Sequence, residues 1–98
     1  MTKDTFKTDV IFRKEKEGEI IALFPYLLWN FAGDITCYAH LGQHGAADYN
    51  HCIRKSKSAK PEEYKDLFAE LESLGYNLWV IKRQSRSKYV EACLNEIK

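Results

Sequence analysis

The residues with the widest chemical repertoire in this chain of 98 residues lie in one central stretch: Cys37, His40, His44, His51 and Cys52, with Asp48 among them. Imidazole and thiolate both bind zinc, and four such ligands in a compact loop can close a tetrahedral site. The spacing here matches no established ligand pattern. If residues 49–54 form a strand, His51 and Cys52 point to opposite faces. His40 and His44 share a face only on a helix, which Gly42 between them disfavours. The reading is therefore no metal and no cofactor. A Cys–His nucleophile pair oriented by Asp48 is the other chemistry these residue types permit. No helix N-terminus is expected nearby to lower a thiol pKa, so no catalytic residue is assigned, and a metal or cysteine enzyme ranks last among the functions.

Recognition is the better use of the same stretch. Gln43, His44 and Asp48 are set among glycines and alanines between two segments of strand character. Small residues leave room, and function concentrates on loops held by rigid elements. Histidine also changes charge near neutral pH. The expectation is that His40, Gln43, His44 and Asp48 line a small polar recess for a ligand or partner group. The alternative has Asp48 capping its own turn and His44 facing water. The small-residue segment 42–47 lacks the lysine and the spacing of a phosphate-binding P-loop.

Two further surfaces stand out. Basic residues cluster at Arg54, Lys55, Lys57 and Lys60 and again at Lys82, Arg83, Arg86 and Lys88. If the strand ends meet, Arg54, Lys55, Lys57, Lys82, Arg83 and Arg86 form one phosphate-binding edge, with Tyr76, Trp79 and Tyr89 near it for base stacking. The alternative is a set of solvated loop charges opposite an acidic helix. The net charge of +1 excludes binding by the whole surface, since dedicated nucleic-acid domains are far more basic. The second surface is Tyr26, Leu27, Leu28, Trp29 and Phe31, more large apolar side chains than a solvated connection carries. They are expected to meet a second copy or another protein. The functions then rank as a non-catalytic protein-interaction or homo-oligomeric module, a nucleic-acid-binding protein, and an enzyme.

The elements that must position these residues are legible in part. The length suits one domain. Residues 1–8 have no apolar signal region, and the apolar stretch 20–29 is short and broken by Pro25. Three cysteines without a C-x-x-C pair then point to reduced thiols in the cytoplasm. Residues 9–14 and 19–24 read as a hairpin ended by Pro25. Residues 35–40 restart a strand, 42–48 read as a loop, and 49–54 as a weak further strand. Pro61, Glu62 and Glu63 open a helix whose apolar stripe is Tyr64, Leu67, Phe68, Leu71 and Leu74, closed by Gly75. Residues 76–83 read as a strand. Ser85 or Ser87 caps a last helix facing inward with Val90, Cys93, Leu94 and Ile97. The fold expected is α+β, an antiparallel or mixed sheet of four to five strands with two helices packed on it, in the order β-β-β-(β)-α-β-α.

The strings VIFRK at 10–14, ALFP at 22–25, GQHGAADY at 42–49 and EEYKDLF at 62–68 resemble small uncharacterised proteins of gut Bacteroidetes and their mobile elements. The resemblance spans most of the chain. It implies a bacterial or phage-related setting and brings no activity or functional residue with it.

Overall fold

In the computed structural model, residues 7–30, 32–39 and 43–97 are described. Strand β1 (Thr8–Glu15) carries four successive buried residues, Val10, Ile11, Phe12 and Arg13. Alternation along a strand sends Val10 and Phe12 to one face and Ile11 and Arg13 to the other. Both faces of β1 must therefore be covered, which makes it a central strand.

β2 (Ile20–Leu28) returns antiparallel to β1, with Ile11 opposite Leu23 and Lys14 opposite Ile20. The hairpin is as expected, but β2 does not stop at Pro25. It runs on to Leu28 because the ladder to β3 (Ile35–Ala39) shifts register between Phe24 and Leu28. An irregularity of that kind is where a residue without an N–H is tolerated. The β2–β3 turn is tied internally, as Trp29 N–H donates to Asp34 O (2.7 Å) and Asn30 Oδ1 accepts from Ala32 and Asp34.

Two segments differ from the sequence reading. Residues 43–47 form strand β4 (Gln43–Ala47), paired antiparallel with β3. Low intrinsic β-propensity is overridden there by a ready ladder on the neighbouring strand. Residues 49–54 form a short helix, α1 (Tyr49–Arg54), because the Asp48 side chain caps it by accepting from His51 N–H at 3.3 Å. The rest follows as β5 (Ser56–Ser58), α2 (Pro61–Ser73), β6 (Leu78–Val80) and α3 (Arg86–Ile97). The α+β class with a mixed sheet stands, with six strands and three helices among the described residues because β4, β5 and α1 are short elements.

The sheet runs β4-β3-β2-β1, and two short strands share the outer edge of β1. β5 pairs antiparallel with Arg13, Lys14 and Glu15, whereas β6 pairs parallel with Thr8, Asp9 and Val10. On one face Val10, Phe12, Ala22, Phe24 and Tyr38 pack beneath Leu67 and Leu71 of α2. On the other, Ile11, Leu23, Ile35 and Ala47 are covered by Cys52 and Ile53 of α1 and Tyr89 of α3. Helix α3 presents a different side from the expected one: Val90 and Leu94 are exposed, and Tyr89 faces the sheet. The Tyr89 hydroxyl fixes this phase by donating to Gly33 O at 2.6 Å. Gly33 is at φ 94°, and a Cβ on it would lie 2.7 Å from the Tyr89 hydroxyl, so this turn requires glycine.

Arg13 is the buried charged side chain of the interior. Its guanidinium donates to Ser56 Oγ (2.9 Å), Ser58 Oγ (3.3 Å), Ile53 O (3.1 Å) and Ser56 O (2.7 Å). A lysine at this position cannot reproduce that planar fork. Arg13→Lys is therefore expected to lower the unfolding free energy by about 1–3 kcal/mol. Urea titration followed by tryptophan fluorescence measures it, and an unchanged midpoint would contradict the assignment.

Candidate functional site

The shared outer edge of β1 creates the most distinctive surface. β6 ends as Ile81 N–H donates to Val10 O (2.9 Å), and the chain after β5 continues as Ala59 N–H donates to Phe12 O (3.1 Å). The ends of β5 and β6 thus converge near the middle of β1. A hollow lies at either end of β5.

The first hollow, about 580 Å³, is lined by Lys14, Glu15, Lys16, Arg54, Lys55, Ser56 and Lys57. Cross-strand pairing sets Lys57 against Lys14 and Ser56 against Glu15, and the end of α1 brings Arg54 and Lys55 beside them. Lys14 is engaged with Glu63 of α2, Nζ to Oε2 at 2.7 Å. Among the described residues, Lys16, Arg54, Lys55 and Lys57 have no carboxylate at ion-pair distance. The one acid of the lining, Glu15, has its pKa raised by burial first and by the negative charges of Glu19 and Glu17 second. The hollow thus gathers four unpaired cations around one carboxylate.

The second hollow, about 290 Å³, lies at the other end of β5 and is lined by Phe12, Ser58, Ala59, Lys60, Pro61, Tyr64, Val80, Ile81 and Lys82. Phe12 and Tyr64 stack there, with centroids 4.3 Å apart and planes 10° from parallel. A third hollow, about 400 Å³, lies on the far face of the sheet, where Asp34, Asp48, Asn50, Gln84, Arg86 and Tyr89 meet.

The basic residues expected to form one edge are divided among these places. Arg54, Lys55 and Lys57 line the first hollow, and Lys82 joins Lys60 in the second. Arg86 sits with Asp34 and Asp48 in the third, and Arg83 is exposed on the link before α3. The division follows from β5 and β6 meeting β1 in opposite directions: the residues that follow them meet at the second hollow, and the start of β5 lies at the Glu15 end of β1. Lys14 and Lys16 are the members that sequence reasoning missed. The usable signal was their i, i+2 spacing where the strand passes into a turn. The aromatic neighbours differ too. Tyr76 stacks on Phe24 at 5.0 Å and Trp79 lies beneath Lys7 Nζ at 5.3 Å, whereas Phe12 and Tyr64 are the rings beside lysines at the edge.

The expected polar recess is not assembled from His44 and Asp48. His44, opposite Tyr38 on β4, lies on the α2 face, with its Nε2 2.9 Å from the Tyr76 hydroxyl and its ring edge-on to Tyr38 at 4.6 Å. Tyr38 in turn donates to Glu70. Asp48 lies on the opposite face as the cap of α1. The change from strand β4 to helix α1 between them separates the two side chains. Gln43 opens β4, and His40 falls outside the described residues. Of the apolar segment, Tyr26 folds back so that its hydroxyl accepts from Ser85 N–H at 2.7 Å, and Leu28 packs in the core. Leu27 and Trp29 remain 43% and 49% exposed. Phe31 lies outside the described residues.

The cysteines are free thiols. Burial is the main cause that pushes Cys37 and Cys52 above the ordinary thiol pKa, which opposes nucleophile chemistry. Among the described residues no group of three or more His, Cys, Asp or Glu side chains could hold a metal ion, and no helix is long and apolar enough to cross a membrane. No protein-family model matches this chain, and neither a curated protein nor a solved structure matches it.

The Lys14–Glu63 pair anchors α2 to the rim of the first hollow. The Lys14 ammonium first, and the Lys60 N–H second, hold the Glu63 carboxyl below its ordinary pKa. A carboxyl lowered on folding adds stability above its unfolded pKa, and that increment is lost as pH falls through the folded value. Glu63→Gln should therefore be slightly less stable than wild type near neutrality and should converge with it in acid. Thermal melts from neutral pH down to about pH 3 test this, and a constant difference across the range would contradict it.

Proposed function

We propose that this chain binds the sugar–phosphate backbone of nucleic acid through the cationic hollow beside β5. The observation that carries the reading is the gathering of Lys16, Arg54, Lys55 and Lys57 around one concavity without carboxylate partners. Net charge is only +1 over the chain, so this concentration is local. Like charges held together are unfavourable, and a phosphate chain relieves that repulsion while releasing its own counterions. Lysines and an arginine on a strand edge supply charge without base-edge selectivity, which fits backbone contacts that position a strand. The function is binding, with no catalytic residue assigned.

A second reading rests on the β2–β3 turn. Leu27 near the end of β2 and Trp29 in the turn braced by Asn30 stay exposed, which favours docking of a second copy or another protein at that end of the sheet. The two surfaces can coexist in one molecule.

Fluorescence anisotropy with labelled oligonucleotides tests the first reading. Four phosphate contacts on a single strand correspond to a slope of about −3 in log K against log salt. The paired substitution Lys55→Glu with Lys57→Glu should weaken binding at least tenfold and flatten that slope. Arg83→Glu with Arg86→Glu should leave both nearly unchanged. No binding at low salt, or equal loss in the two double variants, would overturn the assignment to this hollow.

A further inference from the structure

We infer that the ligand is single-stranded, and that the hollow walled by Phe12 and Tyr64 takes one unpaired base from it. This rests on the nucleic-acid reading and adds the strand state and a base site. The same short strand lines both hollows, through Ser56 and Lys57 at one end and Ser58 at the other, where Lys60 at the start of α2 joins it. Lys60 is extended (φ −85°, ψ 157°), and the chain from Ser58 to Ala59 stays hydrogen-bonded along β1. Lys57 and Lys60 therefore lie about 10 Å apart along an extended edge. That separation suits a phosphate in the first hollow and a base of the same or the next nucleotide in the second.

The two hollows are chemically unlike in the way a nucleotide is. The first is cationic and wide. The second, about 290 Å³, is walled by the half-buried ring of Tyr64, backed by the buried Phe12, and by Val80, and two lysines flank it. Its size is at the lower end of ligand pockets, about 300–1,000 Å³, too small for a base pair together with its backbone. Aromatic side chains bind single-strand bases by stacking, which tolerates any base identity because every base presents a π-face. Lys60 and Lys82 at the mouth hold the phosphates on either side of the inserted base. A duplex keeps its bases stacked inside and offers the hollow nothing, so it gains only the first hollow.

Equilibrium binding with three probes of equal length separates the possibilities: oligo(dT), an abasic oligomer with the same backbone, and a duplex. Wild type should bind oligo(dT) at least about fivefold tighter than the abasic oligomer, as expected for one stacked base. Tyr64→Leu removes the ring and should abolish that preference while leaving abasic binding intact. Val80→Trp, at an exposed rim position, should do the same by filling the hollow without disturbing the Phe12–Tyr64 stack. Equal affinity of wild type for oligo(dT) and the abasic oligomer, or tighter binding of the duplex, would overturn the base site and leave the phosphate hollow standing. Binding of none of the three would overturn both. Persistence of the oligo(dT) preference in both variants would move the base elsewhere and overturn this assignment.

Discussion

The guanidinium of Arg13 holds the functional edge together. β5 is three residues long and carries no apolar side chain, so packing cannot retain it. Arg13 reaches from the strand it pairs with and binds Ser56, Ser58 and the Ile53 carbonyl at the end of α1. One buried side chain thus fixes a strand and a helix end with the planar fork that only arginine offers. Every donor used lies on a single rigid group, so β5 and the end of α1 cannot shift independently. The cations of the first hollow inherit their positions from that constraint.

Electrostatics and packing divide the work at this edge. Burial of Arg13 is supported by neutral oxygen acceptors, with no carboxylate among its hydrogen-bond partners, so its positive charge remains uncompensated behind the surface cations. Glu63, on α2, neutralises Lys14 alone. The potential in the hollow is therefore raised by a charge that solvent does not screen well, in addition to those at its rim. Five of the acidic residues, Glu62, Glu63, Asp66, Glu70 and Glu72, lie in α2, and Glu17 and Glu19 lie in the turn next to the hollow, so the excess of positive charge is confined to the hollow's own lining.

How much of this was legible depended on whether a segment's structure is decided locally. Helix α2 was readable because its Pro61 start, apolar stripe and Gly75 stop agree with one another. The β1–β2 hairpin was readable for the same reason. β4 was not, since Gly45, Ala46 and Ala47 have no local drive to extend and are recruited by β3. α1 was not, because a single carboxylate cap decides between helix and strand over six residues. The Arg54, Lys55 and Lys57 group was visible as a charge run, but its union with Lys14 and Lys16 depends on an antiparallel register that no local pattern encodes. The same missing information put Lys82 and Arg86 together with them. Direction along the sheet edge, rather than residue type, decided the site.

The parallel pairing of β6 with β1 carries a consequence for how the molecule is made. Thr8 and Leu78 are register partners although 70 positions separate them, whereas the β1–β2 and β3–β4 pairs join close neighbours in sequence. Closing so long a loop has an entropic cost that must be met before the contact stabilises anything. On the ribosome, the hairpin can form early, but the first half of β1 keeps an open edge until more than three-quarters of the chain has emerged. During that interval Val10 and its neighbours present an apolar strand edge, the kind of surface on which nascent chains mispair. Synthesis of β6 ends this exposure, so the last strand to be made acts as the lock on the first.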